Sequence, residues 1–119
     1  MATHYHAFVL EALVLVAQLE RVFDAPRTQL ETVIARMADY LWHLRTGDGS
    51  LLQQGDSDDG KILPWHADPF GFIPPQPPPT HSRLFRTSGQ VVLRSDRLHV
   101  TFDAGPFGLG SLAAHAAIA

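Results

Sequence analysis

The sequence contains no cysteine, and this absence excludes two kinds of structure. Without thiols the chain can form neither disulfide bonds nor thiolate metal sites. The absence does not decide the compartment, because proteins on both sides of a membrane can lack cysteine. At 119 residues, the chain has the length of one small domain.

An apolar run long enough to cross a bilayer is also missing. The longest candidate, residues 7–19, is interrupted by Glu11 and Gln18 and is shorter than the ~20 residues that a spanning helix needs. No Lys or Arg precedes it, so the charged start of a signal peptide is absent too. We therefore predict no membrane partner, and the sequence leaves the localisation open.

The chain also lacks a large excess of charge of either sign. The formal net charge is −3, with nine acids against four arginines in residues 1–60. Residues 61–119 carry five cations, Arg94 among them, against three aspartates. This excess is too small to indicate nucleic-acid binding, but a mildly basic half suits an acidic polysaccharide partner.

The first sixty residues show helical periodicity. Residues 3–23 predict a helix that is apolar nearly all round, with two stripes and a narrow polar seam of Glu11, Gln18 and Arg21. Such a helix needs cover on several sides, so we predict self-association through its exposed apolar faces. The two stripes are Phe8, Ala12, Leu15, Leu19 and Val22, and Val9, Leu13 and Val16.

A second helix is expected after the break at residues 24–26. Thr28 and Glu31 form a plausible capping box at its start, and Gly47 is placed to end it. Two antiparallel helices over residues 1–46 would form a helical hairpin. The buried face predicted for the second helix is Leu30, Val33, Ile34, Met37, Leu41 and Leu44.

The remainder predicts an antiparallel β-region after a long connection. Residues 47–82 read as a loop with a Pro-rich linker, and residues 83–119 as the start of a β-domain. Residues 90–94 and 97–103 are the candidate strands, joined by a tight turn at Ser95 and Asp96. Helices followed by antiparallel strands indicate an α+β fold.

An aspartate-rich block at residues 56–60 resembles a calcium loop but fails the EF-hand template. Gly60 stands where the fifth position needs an oxygen ligand, and Ala67 stands where the twelfth needs a bidentate Glu. Aspartates accepting backbone amides in a tight turn are the simpler interpretation. We predict no metal ion and no other cofactor.

Three segments together resemble the heparinase II/III-like polysaccharide lyases. They are THYHAF at residues 3–8, GDGSLLQQGDSDDGKIL at residues 47–63, and FRTSGQVVLRSDRLHVTFDAGPFGLGSLAAH at residues 85–115. The resemblance implies the end of an α/α toroid followed by the first strands of a β-sandwich. It also implies β-elimination on a uronate polysaccharide, of heparin, heparan sulfate or alginate type, by a family that is typically periplasmic or secreted.

The resemblance further implies two catalytic residues. Tyr5 occupies the place of the family's catalytic tyrosine, and His115 that of a histidine that acts as base or helps to neutralise the carboxylate. A tyrosine covering a helix end is the alternative for Tyr5. The family's pattern continues with a histidine and an aspartate where this chain has Ala117 and Ala119. Because the resemblance covers only the middle of such an enzyme, we expect the isolated chain to be an inactive fragment.

Four further residues are predicted to contact the sugar. His6 follows the tyrosine in the family's pattern, Trp65 and His66 lie in the long loop, and Arg94 belongs to the basic half. Aromatic rings stack on sugars, although packing of the loop between the helical and β layers is the commoner explanation for aromatic residues in such a loop. The alternative function is a non-catalytic carbohydrate-binding or assembly module that retains the lyase scaffold.

Overall fold

A computed structural model describes residues 3–25, 28–54, 62 and 76–105. Two helices precede a three-stranded antiparallel sheet, which confirms the mixed α+β class. The elements are α1 (Thr3–Val22), α2 (Thr28–His43), β1 (Arg83–Phe85), β2 (Gln90–Arg94) and β3 (His99–Asp103).

The two helices run antiparallel. Arg21 near the end of α1 pairs with Glu31 near the start of α2 at 3.0 Å, whereas His6 near the start of α1 packs on Tyr40 near the end of α2. A Schellman motif ends α1: Asp24 takes a positive φ of 52°, and the amide of Ala25 donates to the carbonyl of Glu20 at 2.8 Å. The chain then reverses within a few residues.

The face of α1 that is buried differs from both predicted stripes. Thr3, Ala7, Leu10 and Glu11 are buried. Ala7 follows Thr3 by four residues, and Leu10 and Glu11 follow Ala7 by three and four, so these side chains share one face of the helix. Five members of the predicted stripes, Phe8, Val9, Val16, Leu19 and Val22, are between 41% and 74% exposed.

This difference has a physical reason. Because α1 is apolar nearly all round, periodicity alone could not say which side α2 and the sheet would cover. Glu11 was expected in the polar seam but is only 3% exposed. Its carboxylate accepts a hydrogen bond from the backbone amide of Ile62 at 2.7 Å, which offsets part of the cost of burial.

Helix α2 ends at His43, four residues before the predicted cap at Gly47. The chain forms a small turn there instead of continuing the helix. Arg45 and Leu51 pair as an antiparallel bridge on the two sides of this turn. The carboxylate of Asp48 organises this turn by accepting from the hydroxyl of Thr46 and from the amide of Ser50 at 3.0 Å. The glycine with positive φ here is Gly49, at 86°.

The sheet has the order β1-β2-β3. Strand β2 lies as predicted, whereas β1 was not predicted. The predicted two-residue turn is wrong: residues 95–98 join β2 to β3, with the amide of Ser95 donating to the carbonyl of Leu98 at 2.8 Å, so β3 starts at His99. The register pairs Arg83 with Val92 and Val92 with Thr101.

Strand alternation gives the sheet two faces of different composition. The helix-facing side contacts α2 through Arg83, Phe85 and Arg94. It consists of Arg83, Phe85, Gln90, Val92, Arg94, His99, Thr101 and Asp103. The outer face consists of Leu84, Val91, Leu93, Val100 and Phe102.

One apolar cluster joins the helices to the sheet. Its buried members are Ala7, Leu10, Tyr40, Leu41, Leu44 and Val92. The predicted burial of Leu41 and Leu44 is confirmed, whereas Val33 of the same predicted face is 44% exposed. Across the part of the chain that the structure describes, neither helix is long and apolar enough to cross a membrane.

Candidate functional site

Tyr5 lies in the first turn of α1 and is accessible. Its side chain is 51% exposed. No acidic residue shares the first turn of this helix. The positive end of the helix dipole is therefore not offset by a carboxylate of that turn, and it favours a negatively charged group there. Both features fit a phenol that meets a solute from outside.

His6 follows Tyr5 but points elsewhere. Its ring lies 4.8 Å from the ring of Tyr40, centroid to centroid, and its Nε2 atom is buried without a hydrogen-bond partner. Burial lowers the pKa of His6, and a backbone hydrogen bond with Met37 opposes that shift. Consecutive helical residues diverge by about 100°, so an exposed Tyr5 leaves His6 turned toward α2.

Arg94 connects the sheet to the end of α2. Its Nη2 atom donates to the carbonyl oxygens of His43 at 3.0 Å and Arg45 at 2.6 Å. The same nitrogen lies 3.1–3.2 Å from the ring nitrogens of His99. Carbonyls at a helix C-terminus lack intrahelical donors, so a guanidinium group there satisfies them. This contact is structural, and contact of Arg94 with substrate stays a prediction.

The other candidate residues lie outside the described residues. They are His115, the predicted partner of Tyr5, the loop residues Trp65 and His66, and the aspartate block at residues 56–60. Tyr5, His6 and Arg94 are therefore the predicted site residues whose places the structure describes. Within this set, Tyr5 is exposed, whereas His6 and Arg94 are half-buried.

Sequence reasoning missed a group of aromatic and imidazole rings between α2 and the sheet. The ring of Phe85 meets Tyr40 at 5.0 Å and His43 at 5.5 Å, both edge to face. His43 also meets His81, with their Nε2 atoms 3.4 Å apart. These residues belong to no common motif, since His43 and His81 are 38 positions apart.

Tyr40, the chain's second tyrosine, has a different environment from Tyr5. It is 6% exposed, and its hydroxyl is buried without a hydrogen-bond partner. Burial, with a smaller effect from the charge of Asp103, raises the pKa of Tyr40 to about 12. Tyr40 therefore stays a neutral phenol at physiological pH and packs as a core side chain.

The histidine next to Arg94 is also kept neutral. Burial lowers the pKa of His99, and the charge of Arg94 lowers it further. Burial also lowers the pKa of Arg94, although an arginine keeps its charge at any physiological pH. The end of α2 is thus held by one permanent cation beside a neutral imidazole.

No family model, curated protein or solved structure matches the chain. Among the residues that the structure describes, no three His, Asp or Glu side chains are grouped in a way that could hold a metal ion.

Proposed function

We propose that the chain is a segment of a heparinase II/III-like polysaccharide lyase, in which Tyr5 transfers a proton during β-elimination from a uronate polysaccharide. The observation that carries the proposal is the half-exposed side chain of Tyr5 in the first turn of α1, within the THYH sequence on which the resemblance depends. The chain's other tyrosine is buried and could not reach a polymer.

β-Elimination makes demands that an exposed phenol meets in part. The uronate carboxylate is neutralised, the C5 proton is removed, and the O4 leaving group is protonated. A phenol can donate the last proton, and an ionised phenol can remove the first one.

The outer face of the sheet supports a sandwich in the longer protein. This face carries five apolar side chains and no charged one, and Leu84 and Leu93 are 48% and 45% exposed. A β-sandwich forms when two sheets pack such faces together, about 10 Å apart. We propose that a second sheet covers this face.

The exposed side of α1 supports a toroid in the same way. Phe8, Val9, Val16 and Leu19 are each at least 41% exposed on a helix whose buried face already packs on α2. In an α/α toroid each helical hairpin is flanked by others. We propose that a further hairpin covers these side chains, and that the helix carrying the carboxylate neutraliser lies outside this chain.

The proposal predicts the activity of the chain by itself. Positioning of reacting groups accounts for a large share of an enzymatic barrier, and here Tyr5 would act without a neutraliser. We expect no increase in ultraviolet absorbance, the signature of unsaturated sugar ends, when the chain is mixed with heparan sulfate or alginate. Saturable binding to these polymers without product would favour the carbohydrate-binding alternative.

The decisive test grafts this segment into a complete lyase of the family. Tyr5→Phe removes only a hydroxyl, so we expect turnover to fall by roughly 10²–10⁴-fold, the usual contribution of general acid–base catalysis, with an unchanged melting temperature. Tyr40→Phe is the matched control and should keep turnover, because its hydroxyl is buried. Near-normal turnover of the Tyr5→Phe graft would show that Tyr5 is structural.

A further inference from the structure

Two histidines from distant parts of the chain face each other beside the end of α2. His43 is the last residue of α2, and its side chain is 4% exposed, whereas His81 precedes β1 at the surface. Their Nε2 atoms lie 3.4 Å apart, and their rings are nearly perpendicular, at 76°. One ring is thus fixed in the core and the other closes over it from outside.

The hydrogen bond behind His43 fixes its tautomer. The Nδ1 atom lies 2.8 Å from the backbone carbonyl oxygen of Asp39, which can only accept a hydrogen bond. Nδ1 therefore carries the hydrogen, and in the neutral ring the lone pair is on Nε2 and directed toward His81. A histidine that binds a metal is usually held in this way, with its other nitrogen bonded to a carbonyl or carboxylate.

We propose that His43 and His81 form a binding site for a divalent transition metal of the zinc class, with both Nε2 atoms as ligands and water in the other positions. Nitrogen ligands about 2.0–2.1 Å from a tetrahedral zinc ion are separated by about 3.3–3.4 Å, which matches the observed spacing. Imidazole nitrogen suits zinc, copper and nickel rather than calcium or magnesium. This site is independent of the proposed lyase function, and it departs from the expectation from the sequence that the chain binds no metal ion, because the approach of His43 to His81 is visible only in the fold.

Three charged side chains lie near the histidine pair. A carboxylate oxygen of Asp39 lies 3.6 Å from Nδ1 of His43, and Arg83 in turn lies 3.6 Å from the other carboxylate oxygen. Arg94 donates to the carbonyl of His43 and not to its ring. With two ligands from the described residues, the site is open and binds more weakly than a structural zinc site with four protein ligands.

Zinc titration of the full chain tests the proposal, with the imidazole nitrogens followed by NMR and the melting temperature by circular dichroism. We expect a saturable change at Nε2 of both rings with one zinc per chain, and a melting temperature that rises with zinc and returns with a chelator, because a ligand of the native state stabilises it. A plain hydrogen bond between the rings predicts no response to zinc.

The variant His81→Asn makes the test specific. His81 is at the surface, so the variant should fold, and we expect it to lose the zinc response. His4→Asn, a histidine substitution outside the pair, should keep the response. Absence of a saturable change in the unaltered chain would overturn the proposal, and so would an undiminished response in His81→Asn.

Discussion

The two faces of the sheet carry opposite chemistry, and the helices cover the more polar one. The helix-facing side buries Gln90 and Thr101 next to a single aliphatic residue, Val92. The outer face is entirely apolar, yet Leu84 and Leu93 are about half exposed. Polar groups can be buried where partners exist: Gln90 donates its side-chain amide to the carbonyl of Phe102 at 3.2 Å.

This contrast distinguishes two kinds of interaction that stabilise the fold. Specific contacts, such as Arg94 on the carbonyls of His43 and Arg45, fix the sheet on the helices. The outer face offers only non-directional apolar area, which we propose is covered in a longer protein. Apolar alternation alone would have placed the helices on the outer face, which is the face that they leave open.

The largest expected effect comes from placing the same charge on each face. Val92 is fully buried between the sheet and the helices, and its neighbour Leu93 is 45% exposed on the outer face. We expect Val92→Asp to unfold the chain, because an unpaired buried charge costs several kcal/mol, roughly the whole stability of a small domain.

Leu93→Asp is the matched control for that substitution. A change at an exposed position usually alters the free energy of unfolding by about 0.5 kcal/mol or less. It should also reduce self-association by placing charge on an apolar surface. Urea denaturation followed by circular dichroism compares the two variants, and equal losses of stability would contradict the assignment of the faces.

The turn before β2 keeps the faces in their present orientation. Gly89 has a positive φ of 74°, and a Cβ atom there would lie 2.1 Å from the backbone Cα of Gly105. A slip of one residue would exchange the two faces. We expect Gly89→Ala to cost about 1–3 kcal/mol or more in the free energy of unfolding.

Gly49→Ala provides the comparison for Gly89→Ala. Gly49 also has a positive φ, of 86°, but a Cβ atom there meets nothing within 4 Å. Gly49→Ala should therefore destabilise the fold through backbone strain alone. In thermal melts, its loss of stability should be smaller than that of Gly89→Ala. A larger loss in Gly49→Ala would show that the approach to Gly105 is not limiting.

The next largest loss of stability should come from substituting Arg94, on the helix-facing side of the sheet. In Arg94→Gln the carbonyls of His43 and Arg45 lose a charged donor, and a buried acceptor without a partner costs about 1–3 kcal/mol. Arg97→Gln, in the exposed connection before β3, should be nearly neutral. Similar denaturation midpoints for both variants would mean that the contact with α2 does not stabilise the fold.

Acid should lower the free energy of unfolding, with an effect that is smaller than those above and grows gradually as the pH falls. The pKa values of His6 and His99 are lowered in the folded state, chiefly by burial, so the unfolded chain binds protons more readily. Their contribution is complete above the unfolded pKa of about 6.5 and is lost as pH falls from there toward the folded values. The melting temperature should fall between about pH 7 and pH 5.

Removing one histidine checks the origin of this pH dependence. His99→Gln should flatten the decline, because one of the two lowered groups no longer titrates. A melting temperature that rises as the pH is lowered through this range would contradict the assignment. The apolar outer face contains no titratable group and should not contribute.

Local patterns predicted the elements better than their mutual packing. The strand Gln90–Arg94 and the starts of both helices follow from periodicity and turn residues. Strand β1 was missed because three residues show no period. The side on which the helices pack depends on contacts such as those of Arg94, between residues about fifty positions apart, which no local pattern reveals.

For the candidate site too, local sequence patterns predicted more than the packing between elements did. Tyr5 was singled out from its sequence context, and its exposure agrees with a functional role without testing it. The inward direction of His6 depends on where α2 packs, which periodicity did not determine. The pairing of His43 with His81 joins residues 38 positions apart and left no signal in the local sequence.

Because the chain contains no cysteine, single thiols can report directly on the two faces of the sheet. The decisive measurement compares the rate at which a thiol reagent modifies Val92→Cys and Leu93→Cys under native conditions. We predict that the thiol of Leu93→Cys reacts at close to its rate in denaturant, whereas that of Val92→Cys reacts only as the chain unfolds. Rapid modification of Val92→Cys with protection of Leu93→Cys would show that the helices cover the apolar face instead.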